Sequence, residues 1–451
     1  MRTRSSSGHR LRWAAVVTLL LFAIASAVGG THSAQAVAGS VAIASAATAP
    51  RPGADRAWTG TWATVPTTVP PANVTTFEDQ TIRQLVHVSV GGDAVRVRLS
   101  NEFGDRPLVI GEAHLARAAE DGSAERIADG SDRMLTFGGR PEVTIPPGAP
   151  VLSDPVDLRV PARSDLVVSV YLPERTEGRT IHAFAFQQNV VADGNVTGEP
   201  KVDPASVIEQ WYFLTGVSVQ TRRHGSAGAI VALGDSITDG ADTDVNANHR
   251  WPDLLAERLQ TTRGAPDLGV LNEGISGNRL LRDPNPPPGS DAESFAAFFG
   301  QSALRRFDRD VGAQPAARYV IVLLGVNDIG HPGTVAPESE TVTAEDLIAG
   351  HRQLIARAHA RGLKIFGATI TPFADDTLGF FSPENEAIRQ ALNAWIRTGG
   401  EYDAVIDFDR ALRDPERPER LLARFDSGDH LHPNDAGMQA LAAAVPLRLF
   451  R

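Results

Sequence analysis

The hydrophobic rhythm of the chain changes once, near residue 222. From Trp58 to about Thr221 apolar and polar positions alternate with a period of two. Val95, Val97 and Leu99 interleave with Arg96, Arg98 and Ser100, and the run from Ile82 to Val90 precedes them across Gly91-Gly92-Asp93. Alternation of this kind marks half-buried strands, so this stretch predicts strand, turn and strand. Further short strands are expected at 108–110, 143–145, 166–171 and 181–186, with Pro and Gly punctuating between them. Helical periodicity is nearly absent. Residues 57–222 are therefore expected to form an all-β sandwich or jelly roll.

Residues 222–228, Arg-Arg-His-Gly-Ser-Ala-Gly, read as a linker, and past them the texture is different. Short continuous apolar runs at 229–233, 269–272, 319–324, 364–370 and 404–408 alternate with helical patterns at 252–259, 303–311, 344–360, 383–396 and 435–445. Apolar strands separated by helices imply a mostly parallel, five-stranded sheet covered on both faces, hence a three-layer α/β domain over residues 228–451. In such sheets the functional crevice lies at the carboxyl ends of the strands.

The amino terminus follows neither pattern. Arg2, Arg4, Arg10 and Arg12 precede an almost wholly apolar run from Trp13 to Val28, and Ala34-Gln35-Ala36 offers a small-x-small cleavage site. Residues 1–36 read as a secretory signal, and the Ala/Ser/Pro-rich residues 37–56 as a flexible lead-in. The apolar run is shorter than the roughly 20 residues that a membrane span needs, so export without stable membrane insertion is expected. The 451 residues carry 43 Lys and Arg against 54 Asp and Glu; removing residues 1–36 takes away four Arg and no acid, moving the net charge from −11 to −15. So acidic a product argues against nucleic acid as a partner. There is no Cys, which excludes disulfides, thiolate metal sites, a Cys nucleophile and acylation at Cys.

Four polar segments fall where the α/β pattern wants chemistry. They are Gly234-Asp235-Ser236-Ile237-Thr238-Asp239-Gly240, Asn272-Glu273-Gly274-Ile275-Ser276-Gly277-Asn278, Gly325-Val326-Asn327-Asp328 and Asp429-His430-Leu431-His432-Pro433. Ester hydrolysis needs a hydroxyl activated by a base, a carboxylate to hold that base in the right tautomer, and donors for the oxyanion. Ser236 suits the nucleophile and His432 the base, with Asp429 three residues earlier in the same loop. The N–H groups of Ser236 and Gly277 and the side-chain amide of Asn327 suit an oxyanion hole.

These four segments, in this order, resemble the SGNH hydrolases, also called GDSL esterases and lipases, over about residues 228–449. The family's lettered residues map onto Ser236, Gly277, Asn327 and His432, with Asp429 completing the triad. The resemblance implies a flavodoxin-like three-layer fold and an acyl-enzyme route that needs no cofactor or metal. Residues 303–311 and 393–397 are similar to a bacterial branch with an N-terminal β domain, associated with polysaccharide breakdown and aryl-ester hydrolysis. The expected function is a secreted serine esterase acting on short acyl, aryl or acetylated-polysaccharide esters. The alternative is a secreted glycan-binding protein whose hydrolase domain is a scaffold.

Other polar residues have plainer readings. Asp239 and Asp328 are expected to cap turns. Asp429, His430 and His432 sit close enough in sequence for a metal cluster, but so short a loop does not promise three-ligand geometry. Asp242-x-Asp244-x-Asn246 opens like a calcium loop but has Ala247 where such a loop needs Gly. Trp58, Trp62, Trp211, Tyr212 and Phe213 are expected in a core rather than on a sugar-stacking surface. His87 is expected to be structural, and His331 and Arg279 to lie near the site mouth.

Overall fold

The computed structural model describes residues 56–120, 122–222 and 228–451. The expected signal sequence, nearly all of the expected lead-in and most of the linker lie outside the described residues. Among the described residues no helix is long and apolar enough to cross a membrane.

The first half is an antiparallel β sandwich. One sheet orders Arg56–Ala63, Leu214–Arg222, Gly92–Ser100 and Val156–Val160, with Pro150–Leu152 also on Gly92–Ser100. The other orders Ser206–Ile208, Asn189–Asp193, Gln80–His87, Asp165–Leu172, Glu112–Arg117 and Arg133–Met134. Val95, Val97 and Leu99 from the first sheet share one core with Ile82, Val86, Leu166 and Val168 from the second. The alternation read from the sequence is this inward-pointing set. The turn after Ile82–Val90 does not make a hairpin, however. The strand stops at His87, and the two arms go to opposite sheets. The strand expected at 181–186 stops after His182, and Phe186 adopts a positive φ of 48°, which bends the chain out of sheet geometry.

The second half is a parallel sheet in the order Leu268–Gly274, Gly228–Gly234, Ala317–Leu323, Lys364–Ala368 and Ala404–Ile406, every neighbour parallel. Period two divides its apolar residues between two cores. Val231, Leu233, Val320 and Val322 face the helices Ala344–Ala360 and Pro383–Thr398. Ile230, Ala232, Ile321 and Leu323 face Trp251–Thr261 and Asp435–Ala444. The helical pattern at 303–311 becomes a short helix, Ala303–Phe307, followed by a wider π turn at Asp308–Gly312. Chain order reverses on either side of Gly228–Gly234, so the crevice opens at the carboxyl end of that strand.

The two halves meet at the edge of the parallel sheet. Strand Arg56–Ala63 lies along Leu268–Gly274 so closely that a Cβ on Gly269 would stand 2.0 Å from the carbonyl oxygen of Gly60. Gly60 N–H donates to Pro315 O at 3.0 Å and Val270 N–H to Ser89 Oγ at 2.9 Å. An edge strand that would otherwise present unpaired backbone groups is covered.

Candidate functional site

The strand Gly228–Gly234 runs straight into a one-turn helix, Ser236–Asp239. Asp235 caps it by accepting from Ile237 N–H at 3.1 Å, and Gly240 ends it at a φ of 111°, a conformation that side chains disfavour. Ser236 is thereby held at the carboxyl end of the sheet, 5% exposed.

The loop before the last helix is organised by one carboxylate. Asp429 Oδ1 accepts from Leu431 N–H at 2.9 Å and His432 N–H at 2.8 Å, while Oδ2 lies 2.5 Å from His432 Nδ1. The three-residue spacing is what lets one side chain close the turn and orient the ring. His432 Nε2 then lies 2.8 Å from Ser236 Oγ. Burial works against the imidazolium of His432, but the hydrogen bond and charge of Asp429, with Asp242 and Asp235 beyond, outweigh it and raise its pKa. Asp429 moves the other way: burial opposes its charge, yet His432 and the backbone N–H groups hold it well below the usual carboxylate range. A hydroxyl, an imidazole and a carboxylate in line can deliver the hydroxyl as a nucleophile.

The other side of Ser236 is built from the second and third segments. Asn327 is buried, and its Nδ2 donates to Asn278 O at 3.0 Å. Ser276 N–H and Oγ donate to Asp239 Oδ2 at 2.8 and 2.7 Å. Gly277 sits between these two anchors, one to the Ser236 helix and one to Asn327. Its φ is 76°, and a Cβ there would meet the Phe299 ring at 2.1 Å, so neither backbone nor space admits a side chain. Fully buried Arg306 ties the parts together, donating to Gly234 O at 3.0 Å, Glu273 O at 2.9 Å and Asn278 Oδ1 at 3.0 Å. Nothing local in the sequence marks Arg306 for this role, because these partners come from two segments distant from it in the chain.

Asp239 and Asp328 do not cap turns. Asp239 reaches Ser276 and also His182 of the β half, whose Nε2 is 2.9 Å from Oδ1. Asp328 accepts from Leu280 and Leu281 N–H at 2.7 and 2.9 Å, pinning the chain beyond Gly277. Burial is the main reason that Asp235 is pushed up to about 7 and Asp328 to about 6.

The remaining candidates scatter. His430 pairs with Asp426, Nδ1 to Oδ2 at 2.5 Å. Asp242 lies 3.5 Å from His432 Nδ1, and Asp242, Asp429 and His432 offer ligand atoms within 4.8 Å of one another. The sequence places Asp242 at the start of a calcium-like loop, and its approach to His432 from that different loop is not legible there. A cation there would compete for the Nδ1 position that Asp429 already occupies. In the calcium-like loop oxygens are engaged by protein: Asn246 Oδ1 accepts from Gln187 Nε2 and Gln188 N–H, and Asp242 Oδ2 from Ser427 Oγ. Trp62, Trp211, Tyr212 and Phe213 are core residues, and half-buried Trp58 lies under the Arg96 guanidinium. His87 pairs with Asp165 at 2.6 Å. His331 is buried between Phe299 and Phe380, and burial, with Arg279 nearby, lowers its pKa to about 3. Arg279 is spent on Glu340 at 2.6 Å. Neither opens onto solvent.

Compared with known proteins, residues 232–440 match the model of the GDSL-like lipase/acylhydrolase family. No curated protein matches the chain. Solved structures do. The native aryl esterase of M. smegmatis shares 19% identity, covering 48% of this chain and 95% of its own, with a TM-score of 0.36. A catalytic mutant of an acetylxylan esterase from Geobacillus stearothermophilus shares 20%, covering 49% and 92%, with a TM-score of 0.36. A GDSL-like lipase from Bacteroides thetaiotaomicron shares 17%, covering 48% and 84%, with a TM-score of 0.33.

Proposed function

We propose that this chain, whose residues 232–440 match the model of the GDSL-like lipase/acylhydrolase family, is an exported serine esterase working through an acyl-enzyme. Ser236 Oγ attacks the ester carbonyl while His432 Nε2 takes its proton. Asp429 keeps the other ring nitrogen protonated and balances the imidazolium that forms. The oxyanion is received by Ser236 N–H, Gly277 N–H and the Asn327 amide, one of whose hydrogens is fixed on Asn278 O. His432 then protonates the leaving alcohol and, in the second half, activates the water that releases the acid. The observation that carries this reading is the unbroken line from Ser236 Oγ through both nitrogens of His432 to Asp429 Oδ2, with steps of 2.8 and 2.5 Å.

The proposed substrates are short acyl, aryl or acetylated-polysaccharide esters, met outside the cell. The basic and apolar leader supports export. Thr377 N–H donates to Asp429 O at 3.0 Å, which ties the loop carrying exposed Leu378 and Phe381 to the loop of the triad carboxylate and supports apolar groups in the substrate. A glycan-binding role for the β half loses the support of its aromatics, since Trp62, Trp211, Tyr212 and Phe213 are buried.

The test is p-nitrophenyl acetate hydrolysis by the purified mature chain beside Ser236→Ala, with and without a chelator. The expected result is turnover that survives the chelator and disappears in the variant. Turnover equal in both proteins, or abolished by the chelator alone, would overturn the proposal.

A further inference from the structure

His182 belongs to the β half, in strand Ile181–His182, yet it reaches the helix that carries Ser236. Its Nε2 lies 2.9 Å from Asp239 Oδ1 and its Nδ1 lies 2.9 Å from Val65 O. The two side chains are 3% and 4% exposed. The ring is fixed from its own side: Trp211 lies over it at 5.6 Å between centroids, and Trp211 is itself held by Trp62 at 5.1 Å and by an Nε1–H donated to Leu85 O at 3.0 Å.

The proton count of this pair is informative. A backbone carbonyl only accepts, so Nδ1 of His182 carries a hydrogen. Nε2 faces a carboxylate, which also accepts. A proton must therefore lie between Nε2 and Oδ1. The second carboxylate oxygen, Oδ2, takes both Ser276 N–H and Ser276 Oγ–H. One residue on is Gly277. The approach of the two loops is close enough that a Cβ on Gly274 would stand 2.3 Å from Asp239 N. A second strut joins the same parts: Asn272 Nδ2 donates to Thr238 O at 2.8 Å, and Asn272 Oδ1 accepts from Gly274 N–H at 2.9 Å.

We propose that His182 is a positioning residue for the esterase site: through Asp239 it fixes Ser276, and so aims the Gly277 N–H at the oxyanion. The inference rests on the proposed esterase reading. It assigns the β half a part in catalysis that requires no contact with substrate. An oxyanion donor acts by being preorganised, and a displacement of about 1 Å in such a group costs on the order of a hundredfold in rate.

The test combines kinetics with hydrogen exchange on the full mature chain. His182→Ala and Asp239→Ala are each expected to lose about 10- to 100-fold in kcat with KM nearly unchanged, and the double variant is expected to lose no more than the worse single one. Asp239→Asn is the conservative control: its amide can donate to a neutral Nε2 of His182 while its oxygen keeps Ser276, so activity should stay within a fewfold of the parent. In parallel, the backbone amide of Ser276 should exchange faster in His182→Ala while the parallel-sheet amides stay protected. Unchanged protection over residues 274–278 in a folded variant, or additive losses in the double variant, would overturn the proposal. If His182→Ala does not fold, His182→Gln takes its place and the same readouts decide. Should the parent show no Ser236-dependent hydrolysis, the esterase reading fails, and the exchange data still decide whether His182 fixes the loop.

Discussion

Two histidine–carboxylate pairs lie on either side of Ser236, and they are used in opposite ways. In His432–Asp429 the carboxylate faces Nδ1, the ring is 13% exposed, and Nε2 is left for a hydroxyl. In His182–Asp239 the carboxylate faces Nε2, a carbonyl takes Nδ1, and the ring is buried at 3%. The first pair keeps one nitrogen available to accept a proton. The second spends both nitrogens on acceptors and has nothing left to exchange. In the proposed roles the same two residue types make a base in one setting and a clamp in the other, and the difference is what the remaining ring nitrogen meets.

Substitutions can break that contrast in graded ways. The largest effect belongs to Ser236→Ala, which leaves His432 with nothing to deprotonate; ester turnover should fall by about 10⁴-fold or more with the melting temperature nearly unchanged. Asp429→Asn follows, with a loss of about 10⁴-fold as the ring loses its tautomeric bias, whereas Asp239→Asn should stay close to the parent. The third effect is on stability. His182→Ala leaves a buried carboxylate without its partner and should lower unfolding free energy by about 3–5 kcal/mol in chemical denaturation; Asp429→Ala, at a half-buried loop, should cost much less. Asn327→Ala removes one oxyanion donor and should cost about 10²–10³-fold in kcat. An Asn327→Ala protein with parental turnover would sink that assignment.

The smallest effect is on pH dependence. The pKa of His432 is raised in the folded protein, and the ring must be neutral to act as a base. Activity is therefore present above the folded pKa and lost as pH falls through it, so the acid limb of kcat/KM should have its midpoint above the ordinary histidine value of about 6.5. Asp242→Asn removes one of the charges that raise it and should move the midpoint slightly down, because that carboxylate is half exposed and well screened. A midpoint that moves upward in this variant would contradict the electrostatic picture. The stability linkage runs the opposite way: the pairing of His432 favours the folded state below the ordinary histidine pKa and is lost as pH rises through the folded one.

What the sequence made legible follows its periodicities. The five parallel strands and both long helices, Ala344–Ala360 and Pro383–Thr398, were visible because buried strands and amphipathic helices write themselves into short windows. The Asp429–His432 contact was visible for the same reason, since a spacing of three closes within one turn. The Asp239–Ser276, Asp328–Leu280 and His182–Asp239 contacts were not. Each joins segments tens of residues apart, and an acid that holds a distant backbone N–H has the local appearance of an acid that caps its own turn. Gly91-Gly92 shows the same limit in the β half: the turn was readable, but whether its arms pair or part is decided by strands elsewhere.

The packing of Arg56–Ala63 along Leu268–Gly274 has a consequence for the order in which the molecule comes into being. That first strand pairs with Leu214–Arg222, so every strand of the sandwich has been made once the chain reaches residue 222, before any strand of the parallel sheet. A chain that emerges from its amino end presents the finished sandwich first. Folding in that order would lay the edge strand of the α/β half against a surface already formed, with the earlier half as a template for the later one.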